Sequence, residues 1–179
     1  MLSPLHRTIG AVVVALSLGG CASDFTDPGP IGRHAPGAYP RVVREGEPLQ
    51  CVPYARSRSG VRIWGDAYTW WSKAAGRFER ARVPEPGSVM VMRGHDNSAR
   101  GHLAVVRRVL NDREIVVDHA NWLNSGEIGL DNPVMDVSED NDWTRVRVWY
   151  APGRHYGGRV YVVQGFILGS PDERRIAWR

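Results

Sequence analysis

Residues 101–121 read GHLAVVRRVLNDREIVVDHAN, two apolar runs separated by a short polar turn. Successive side chains of a strand point to opposite faces, so His102 lies on the face of the apolar residues two and four positions later. In the second run His119 and Asn121 share one face and Asp118 points to the other. Consecutive strands joined by a short turn generally pair. We therefore expect the two histidines, or His102 and Asn121, to lie close together.

The rest of the chain predicts helices first and strands after them. Helices are expected over 50–59 and 65–77, the second from the helical spacing of Trp64, Ala67 and Trp71. After a Pro- and Gly-rich turn, short β-rich runs predict strands over 88–92, 102–110, 114–121, 144–149 and 161–167. We therefore predict an α+β domain of two layers, with N-terminal helices packed on a small antiparallel β-sheet.

The first residues of the chain are typical of a bacterial lipoprotein leader. The apolar run Thr8–Leu18 follows the basic Arg7 and has about half of the ~20 residues that a membrane-spanning helix needs. The sequence Leu-Gly-Gly-Cys that ends at Cys21 resembles a lipobox, in which the cysteine is lipidated after cleavage. We predict a signal peptide over 1–20 and a membrane anchor on Cys21. Ala22 and Ser23 follow Cys21, so no Asp stands next to it. In a bacterium with two membranes, this pattern resembles lipoproteins of the outer membrane, and we expect the protein to face the periplasm.

Residues 21–48 are rich in Pro and Gly and have no apolar periodicity, which predicts a flexible tether. Within it, residues 39–43 are the piece most expected to pack on the domain. Residues 49–179 are then predicted to form one domain of ordinary size.

The charge of the chain argues against nucleic acid as a partner. The formal net charge is +4, and removal of residues 1–20 takes away Arg7 and leaves +3, with both signs interspersed. This balance is too mild for nucleic-acid binding, but it suits an anionic envelope polymer or lipid surface.

Cys51 is the candidate nucleophile. The chain has two cysteines, and lipidation of Cys21 would leave Cys51 without a disulfide partner, which is unusual in an exported protein. Pro53 suits the first turn of a helix, so Cys51 is expected at a helix N-terminus, where the unpaired N–H groups favour a thiolate. The alternative is a buried structural thiol.

A thiol nucleophile needs a base and a third group that orients the base. His102 is the candidate base, and either His119 or Asn121 is the candidate orienting group. A zinc site built from Cys51, His102 and His119 would have suitable ligand types, but the sequence has no close ligand pair such as CxxC or HExxH. We therefore expect no metal and no cofactor.

Four short motifs carry a resemblance to a known family. They are QCVPYA at 50–55, PGSVMV at 86–91, GHLAVV at 101–106 and HANW at 119–122. In order and spacing they resemble the CHAP family of cysteine- and histidine-dependent amidohydrolases and peptidases, which has a papain-like fold.

The resemblance implies that Cys51 is the nucleophile and His102 the general base. Many relatives have Glu at the position of His119, and a neutral imidazole there can still accept a hydrogen bond from His102. The Cys51 backbone N–H, with support from Gln50 and Asn121, would stabilise the oxyanion. Trp122 is expected to line the substrate groove.

Taken together, these features predict a lipid-anchored cysteine hydrolase, an amidase or endopeptidase, that cleaves amide bonds in peptidoglycan. The alternative from another class is a non-catalytic wall-binding or envelope-structural lipoprotein. A third possibility keeps the chemistry and changes the substrate to an amide outside the wall. Whether a protein activator is needed stays open.

Overall fold

The computed structural model describes residues 36–44, 46–94 and 99–169 of the chain. Strands make up most of the regular structure in these ranges. In chain order the elements are β1 (Arg41–Val43), α1 (Cys51–Ser59), a 3₁₀ turn (Ala67–Thr69), α2 (Trp70–Ala74), β2 (Glu79–Ala81), β3 (Val89–Arg93), β4 (Gly101–Val109), β5 (Glu114–Ala120), β6 (Ile128–Asp136), β7 (Arg145–Tyr150), a second 3₁₀ turn (Ala151–Gly153), β8 (His155–Tyr156) and β9 (Tyr161–Leu168).

Six strands close into an antiparallel barrel. Around the ring, β3, β4, β5, β6, β7 and β9 each pair with the next, and β9 pairs back with β3. Val106 of β4 lies opposite Val117 of β5, and just beyond this pair the register shifts on both sides of β5. Such bulges bend a strand and increase its twist, which helps the sheet to close.

The predicted α+β arrangement, a papain-like domain with helices layered on an open sheet, is wrong. The described chain is mostly β, with two short α-helices on the outside of a closed barrel. Alternating apolar residues mark one buried face whether a sheet is open or closed, so this pattern could not distinguish the two. Closure depends on β6, which pairs with both β5 and β7. Its sequence contains Asn132 and Pro133, and Pro within a run argues against a strand.

The individual strand predictions are more accurate than the architecture. All five predicted strands are present, and each agrees with β3, β4, β5, β7 or β9 to within one residue at either end. The strands β1, β2, β6 and β8 were not predicted. They are very short or, in β6, interrupted by residues that disfavour strands.

The first predicted helix is confirmed as α1, but the second is much shorter than expected. It consists of the 3₁₀ turn and α2 together, and its buried residues are Ala67, Trp70 and Ala74. Trp64, which was expected on the apolar stripe, is 59% exposed. Gly65 has a φ of +97°, a left-handed conformation, so the chain turns there and Trp64 stays outside the helix.

Two apolar cores result from this architecture. The inner core fills the barrel and contains Met90, Met92, Ala104, Val106, Ile115, Val117, Val134, Trp143, Val146, Val148, Val163 and Phe166. The outer core lies between the barrel wall and the helices and contains Ala55, Val61, Ile63, Ala67, Trp70, Ala74, Val89, Val91, Leu103, Val105 and Ile167. The strand β4 contributes to both cores, which is why it can connect a helix on the outside to side chains at the barrel mouth.

The chain packs on the barrel upstream of α1. Ala38 is buried, and β1 pairs with the first part of β6. This agrees with the interpretation that residues 39–43 contact the domain. Cys21 and the signal peptide lie outside the described residues. Among the described helices, none combines the length and apolarity that crossing a membrane requires.

Candidate active site

Cys51 is the first residue of α1 and is partly buried against the outer core. The helix is fixed by apolar packing, since Ala55 is fully buried in the same core as Leu103 of β4. The thiol interacts with the backbone N–H of Leu103, the residue after His102. The packing of α1 on β4 therefore places the candidate nucleophile beside the first residues of that strand.

The thiol does not have the lowered pKa that its helix position suggests. Burial raises the pKa of Cys51 above its ordinary value of 9.0, although backbone N–H groups of Leu103, Val52 and Cys51 itself act in the opposite direction. The expectation of a thiolate at neutral pH is therefore wrong for the resting site. The apolar packing that positions the thiol also removes the water that would solvate its charge.

The two predicted histidines meet at the mouth of the barrel. His102 Nε2 lies 3.1 Å from His119 Nδ1, within hydrogen-bond distance. The predicted face assignment is confirmed, since the residues of the same parity on β4 and β5 fill the barrel interior. His119 is 1% exposed, whereas His102 is partly exposed and lines the groove. The structure thus places His119, the first of the two predicted orienting groups, directly behind the candidate base.

Both imidazoles are neutral at neutral pH. Burial lowers the pKa of His119 to about 3. Burial and the neighbouring His119 lower the pKa of His102 well below its ordinary value of 6.5, and the carboxylate of Glu127 opposes this shift weakly. The resting groove therefore contains a neutral thiol and a neutral candidate base.

Trp122 covers the histidine pair. Its ring is stacked on His119 at 5.3 Å between centroids and lies edge-on to His102 at 4.8 Å. Tyr161 also packs edge-on against the indole, at 4.9 Å between centroids. Trp122 also lines the groove, as predicted from its sequence position, and it shields both imidazoles from water.

Asn121 does not contact the histidines. Its Nδ2 donates to Gln50 Oε1 at 2.7 Å, and its Oδ1 accepts the N–H of Gly126 at 2.9 Å. The structure therefore brings Asn121 to the residue before Cys51 rather than to His102. It connects the end of β5 to the start of α1, and Gln50 and Asn121 both line the groove.

Asp118 points away from the site, as the strand alternation predicts. Its carboxylate forms an ion pair with Arg107 at 3.3 Å and accepts the backbone N–H of Asp131 at 2.8 Å. Both contacts lie on the outside of the barrel. The bulge next to Asp118 leaves its face assignment unchanged.

A buried residue that the sequence did not predict lies behind His119. Asn132 of β6 is 3% exposed, and its Nδ2 lies 3.1 Å from His119 Nε2 and 3.2 Å from the carbonyl oxygen of Trp149. Gly129 packs against the edge of the same ring, and a Cβ added there would lie 2.9 Å from Nε2. Neither residue could be found from the sequence, because β6 itself was not predicted.

A second unpredicted residue, Glu127, shapes the loop after β5. It is 1% exposed, and its carboxylate accepts the backbone N–H groups of Leu123 and Ser125 at 2.6 and 3.1 Å. Its own carbonyl accepts the N–H of Asn121 at 2.7 Å. A lone Glu in a polar segment gave no signal in the sequence, yet this carboxylate fixes the loop that carries Trp122.

These side chains surround one open groove of about 940 Å³. Cys51 and His102 line it together, with the aromatic side chains of Trp122, Tyr150 and Tyr161. Its charged side chains among the described residues are three arginines and one carboxylate: Arg93, Arg100, Arg159 and Asp66. The candidate nucleophile, the candidate base and a basic rim thus share a groove large enough for a peptide.

Two comparisons with known proteins bear on this site. No curated protein matches the chain significantly. Residues 43–121 match the family model described as CHAP domain, and the matched segment contains Cys51, His102 and His119. CHAP domains are in general cysteine- and histidine-dependent amidohydrolases, and the family suggests activity of the peptidoglycan hydrolase or amidase type. The sequence match and the meeting of these side chains in one groove agree: the segment over residues 43–121 is similar to a CHAP domain.

Proposed function

We propose that this protein hydrolyses amide bonds in peptidoglycan, with Cys51 as nucleophile and His102 as general base. The observation that carries the proposal is the shared groove, in which a helix-terminal thiol lies beside a histidine that is hydrogen-bonded to a second, buried histidine. This is the nucleophile, base and orienting group that acyl transfer to a thiol requires.

The neutral resting state defines how the first step proceeds. As the Cys51 sulfur attacks the amide carbonyl, its proton passes to His102, and the tetrahedral intermediate carries the negative charge on the former carbonyl oxygen. The intermediate collapses to a thioester when His102 gives the proton to the leaving amine. Water then attacks the thioester with His102 again as base, which releases the acid and restores the thiol.

The oxyanion would be stabilised at the start of α1. The backbone N–H of Cys51 lies in the first turn of the helix, where N–H groups have no carbonyl partner within the helix. The Gln50 side chain lines the same groove, and because its Oε1 is bonded to Asn121, its amide N–H₂ group is the end left to act as a donor. This gives Asn121 a supporting role through Gln50 rather than through His102.

The rim of the groove supports an acidic peptide as substrate. Arg93, Arg100 and Arg159 line it, and Asp66 is the one carboxylate that lines it among the described residues. Guanidinium groups recognise carboxylates through paired hydrogen bonds. The peptides of peptidoglycan carry free carboxylates, whereas the glycan strands offer mainly hydroxyl and amide groups. We therefore place the peptide, rather than the sugar, along this rim.

Digestion of purified peptidoglycan by the full chain, followed by mass spectrometry of the released fragments, tests the proposal. The expected products have new amine and carboxyl ends at one amide bond, which also identifies the enzyme as an amidase or an endopeptidase. Cys51→Ala should give no fragments. Binding of peptidoglycan without cleavage by the wild type would instead favour the non-catalytic wall-binding lipoprotein.

We further propose that a lipid on Cys21 anchors the protein in the cell envelope, at the outer membrane and facing the periplasm. The support is the sequence alone, namely the apolar leader and Leu-Gly-Gly-Cys. Metabolic labelling with a fatty-acid analogue should mark the wild type and not Cys21→Ser. Equal labelling of both would contradict the anchor.

A further inference from the structure

The amide of Asn132 lies against the histidine pair. Its Nδ2 has two neighbours, the carbonyl oxygen of Trp149 at 3.2 Å and His119 Nε2 at 3.1 Å. A carbonyl oxygen only accepts hydrogen bonds, so the NH₂ group of the amide, and not its oxygen, must face this side. The second N–H of the group then points at His119 Nε2, which accepts it and carries no proton.

The same reasoning continues to the next ring. A neutral imidazole has one N–H and one acceptor nitrogen, so the proton of His119 is on Nδ1. This nitrogen lies 3.1 Å from His102 Nε2, which therefore accepts. The proton of His102 is then on Nδ1. Burial keeps both rings neutral, as the lowered pKa values of both histidines indicate.

We propose that Asn132 is a positioning residue that determines which nitrogens donate and which accept along the hydrogen bonds from Asn132 through His119 to His102. It thereby holds the resting site in the arrangement in which His102 cannot accept a proton. Nε2 of His102 is occupied by the N–H of His119, and Nδ1 already carries a proton. The inference rests on the proposed function only in naming the Cys51 thiol as the group that His102 serves.

In the arrangement that is competent for catalysis, every donor and acceptor of the resting arrangement is exchanged. In it His102 Nε2–H donates to His119 Nδ1, and His119 Nε2–H donates to Asn132 Oδ1. Each ring still has one proton, and Nδ1 of His102 has a lone pair for the thiol proton. To reach this state the Asn132 amide must turn over and give up its bond to the Trp149 carbonyl. The bond to the Trp149 carbonyl therefore keeps the site in its resting arrangement until the hydrogen bonds reverse.

Nearby charges do not supply an alternative partner for His119 among the described residues. The Glu127 carboxylate is committed to the loop, where it accepts N–H groups of Leu123 and Ser125. Asp118 is bonded on the outside of the barrel to Arg107 and Asp131. Gly129 fills the space beside the ring edge and fixes its orientation. Asn132 is thus the polar side chain that decides the tautomer.

Ring-nitrogen NMR of the ¹⁵N-labelled full chain tests this directly, without any activity measurement. Two-bond ¹⁵N–¹H spectra distinguish a protonated from an unprotonated imidazole nitrogen, and His102→Gln and His119→Gln assign the signals. In the wild type we expect an unprotonated Nε2 and a protonated Nδ1 on His119, and the same on His102. A protonated Nε2 on His119 would overturn the proposal.

Asn132→Asp should reverse the order of donors and acceptors in the histidine pair, because a carboxylate can only accept from His119 Nε2–H. The expected results are a switch of both tautomers and alkylation of Cys51 by iodoacetamide at pH 7 that is roughly tenfold faster or more, as a freed general base allows. Asp118→Asn, a charge change next to His119 in sequence but outside the barrel, is the matched control and should change neither.

A folded Asn132→Asp variant with unchanged tautomers would contradict the inference. If this variant does not fold, the wild-type spectrum still decides. Failure of the proposed function is distinguishable, because hydrolysis that survives Cys51→Ala would remove the enzyme assignment and leave the ring-nitrogen signals as they are.

Discussion

Cys51 and the pair of His102 and His119 belong to parts of the molecule that are built differently, although they meet at the same groove. Cys51 stands at the end of a nine-residue helix that is held by apolar contacts on the outside of the barrel. His119 lies in a strand paired on both sides, and both of its ring nitrogens are within hydrogen-bond distance of a neighbour.

Because of this difference, mutations in the two regions should have different effects on turnover and on folding. The orientation of the histidine pair is part of the barrel, so changes there should affect folding and turnover together. The Cys51 side chain can be truncated with little loss of packing, so changes there should affect turnover alone. Changes on the histidine side, taken from the largest expected effect on activity to the smallest, test this separation, and truncation of Cys51 tests the other side.

Removal of the base should have the largest effect on the histidine side. We expect His102→Ala to lower hydrolysis roughly 10⁴-fold or more, since nucleophile and base act as a unit. The melting temperature should fall as well, because Trp122 packs against this ring. His155→Ala removes a comparably half-buried histidine that is bonded to the Tyr156 carbonyl, and it should keep most of the activity. Equal losses in both variants would mean that the effect is one of stability.

Removal of the orienting group should cost less. We expect His119→Ala to lower turnover by a factor on the order of 10 to 10⁴, because an orienting group fixes position and tautomer but performs no chemistry. Asn121→Ala should cost less, since it acts through Gln50, and Asp118→Ala least, since it lies outside the barrel. Steady-state rates of the three variants give this order. A larger loss for Asn121→Ala than for His119→Ala would contradict this order. It would mean that the contact of Asn121 with Gln50 matters more for turnover than the contact of His119 with His102.

A methyl group behind His119 should move the ring without removing it. A Cβ on Gly129 would lie 2.8 Å from Cδ2 and 2.9 Å from Nε2 of the histidine, closer than packing allows. We expect Gly129→Ala to destabilise the fold by about 1–3 kcal/mol, as overpacking commonly does, and to lower turnover as well. Gly158→Ala is the control, since no atom lies within 4 Å of the place its methyl group would take and its φ is not left-handed. Unchanged turnover in Gly129→Ala would contradict the coupling of barrel packing to catalysis.

The pH dependence of stability should be small near neutrality and grow in acid. The folded protein holds His119 with a pKa of about 3 against an ordinary 6.5, so the unfolded chain binds the extra proton first as pH falls. Stability should therefore decrease from pH 6.5 downward, by about 1.4 kcal/mol per pH unit per histidine, until the native pKa is reached. Denaturant unfolding at pH 7 and pH 5 measures this slope. His119→Gln should reduce it, and an equal slope in both proteins would place the acid sensitivity elsewhere.

The sequence predicted what local alternation can determine. The five strands, the faces of His102, His119 and Asp118, and the helix that starts at Cys51 follow from the spacing of apolar residues and from Pro53. Closure of the barrel does not follow from spacing, because it depends on pairing between strands distant in the sequence. The strand that closes it, β6, contains Asn132 and Pro133, which disfavour strands locally and are accommodated only by their neighbours. The buried partner of His119 was missed with it.

The pKa of Cys51 shows the same limit. A helix N-terminus lowers a thiol pKa, and this much is visible in the sequence. The opposing effect of burial depends on the packing of α1 against β4, which the sequence does not show. Here burial is the larger effect.

The hydrolysis of peptidoglycan by Cys51→Ala, measured beside the wild type with thermal melts of both, tests the central claim most directly. We predict that fragment release falls by a factor on the order of 10⁴ or more, while the melting temperature stays within a few degrees, because the thiol is partly exposed and adds little packing. Fragment release near the wild-type rate from a folded Cys51→Ala protein would contradict the account, since no acyl transfer to this sulfur could then be part of the reaction.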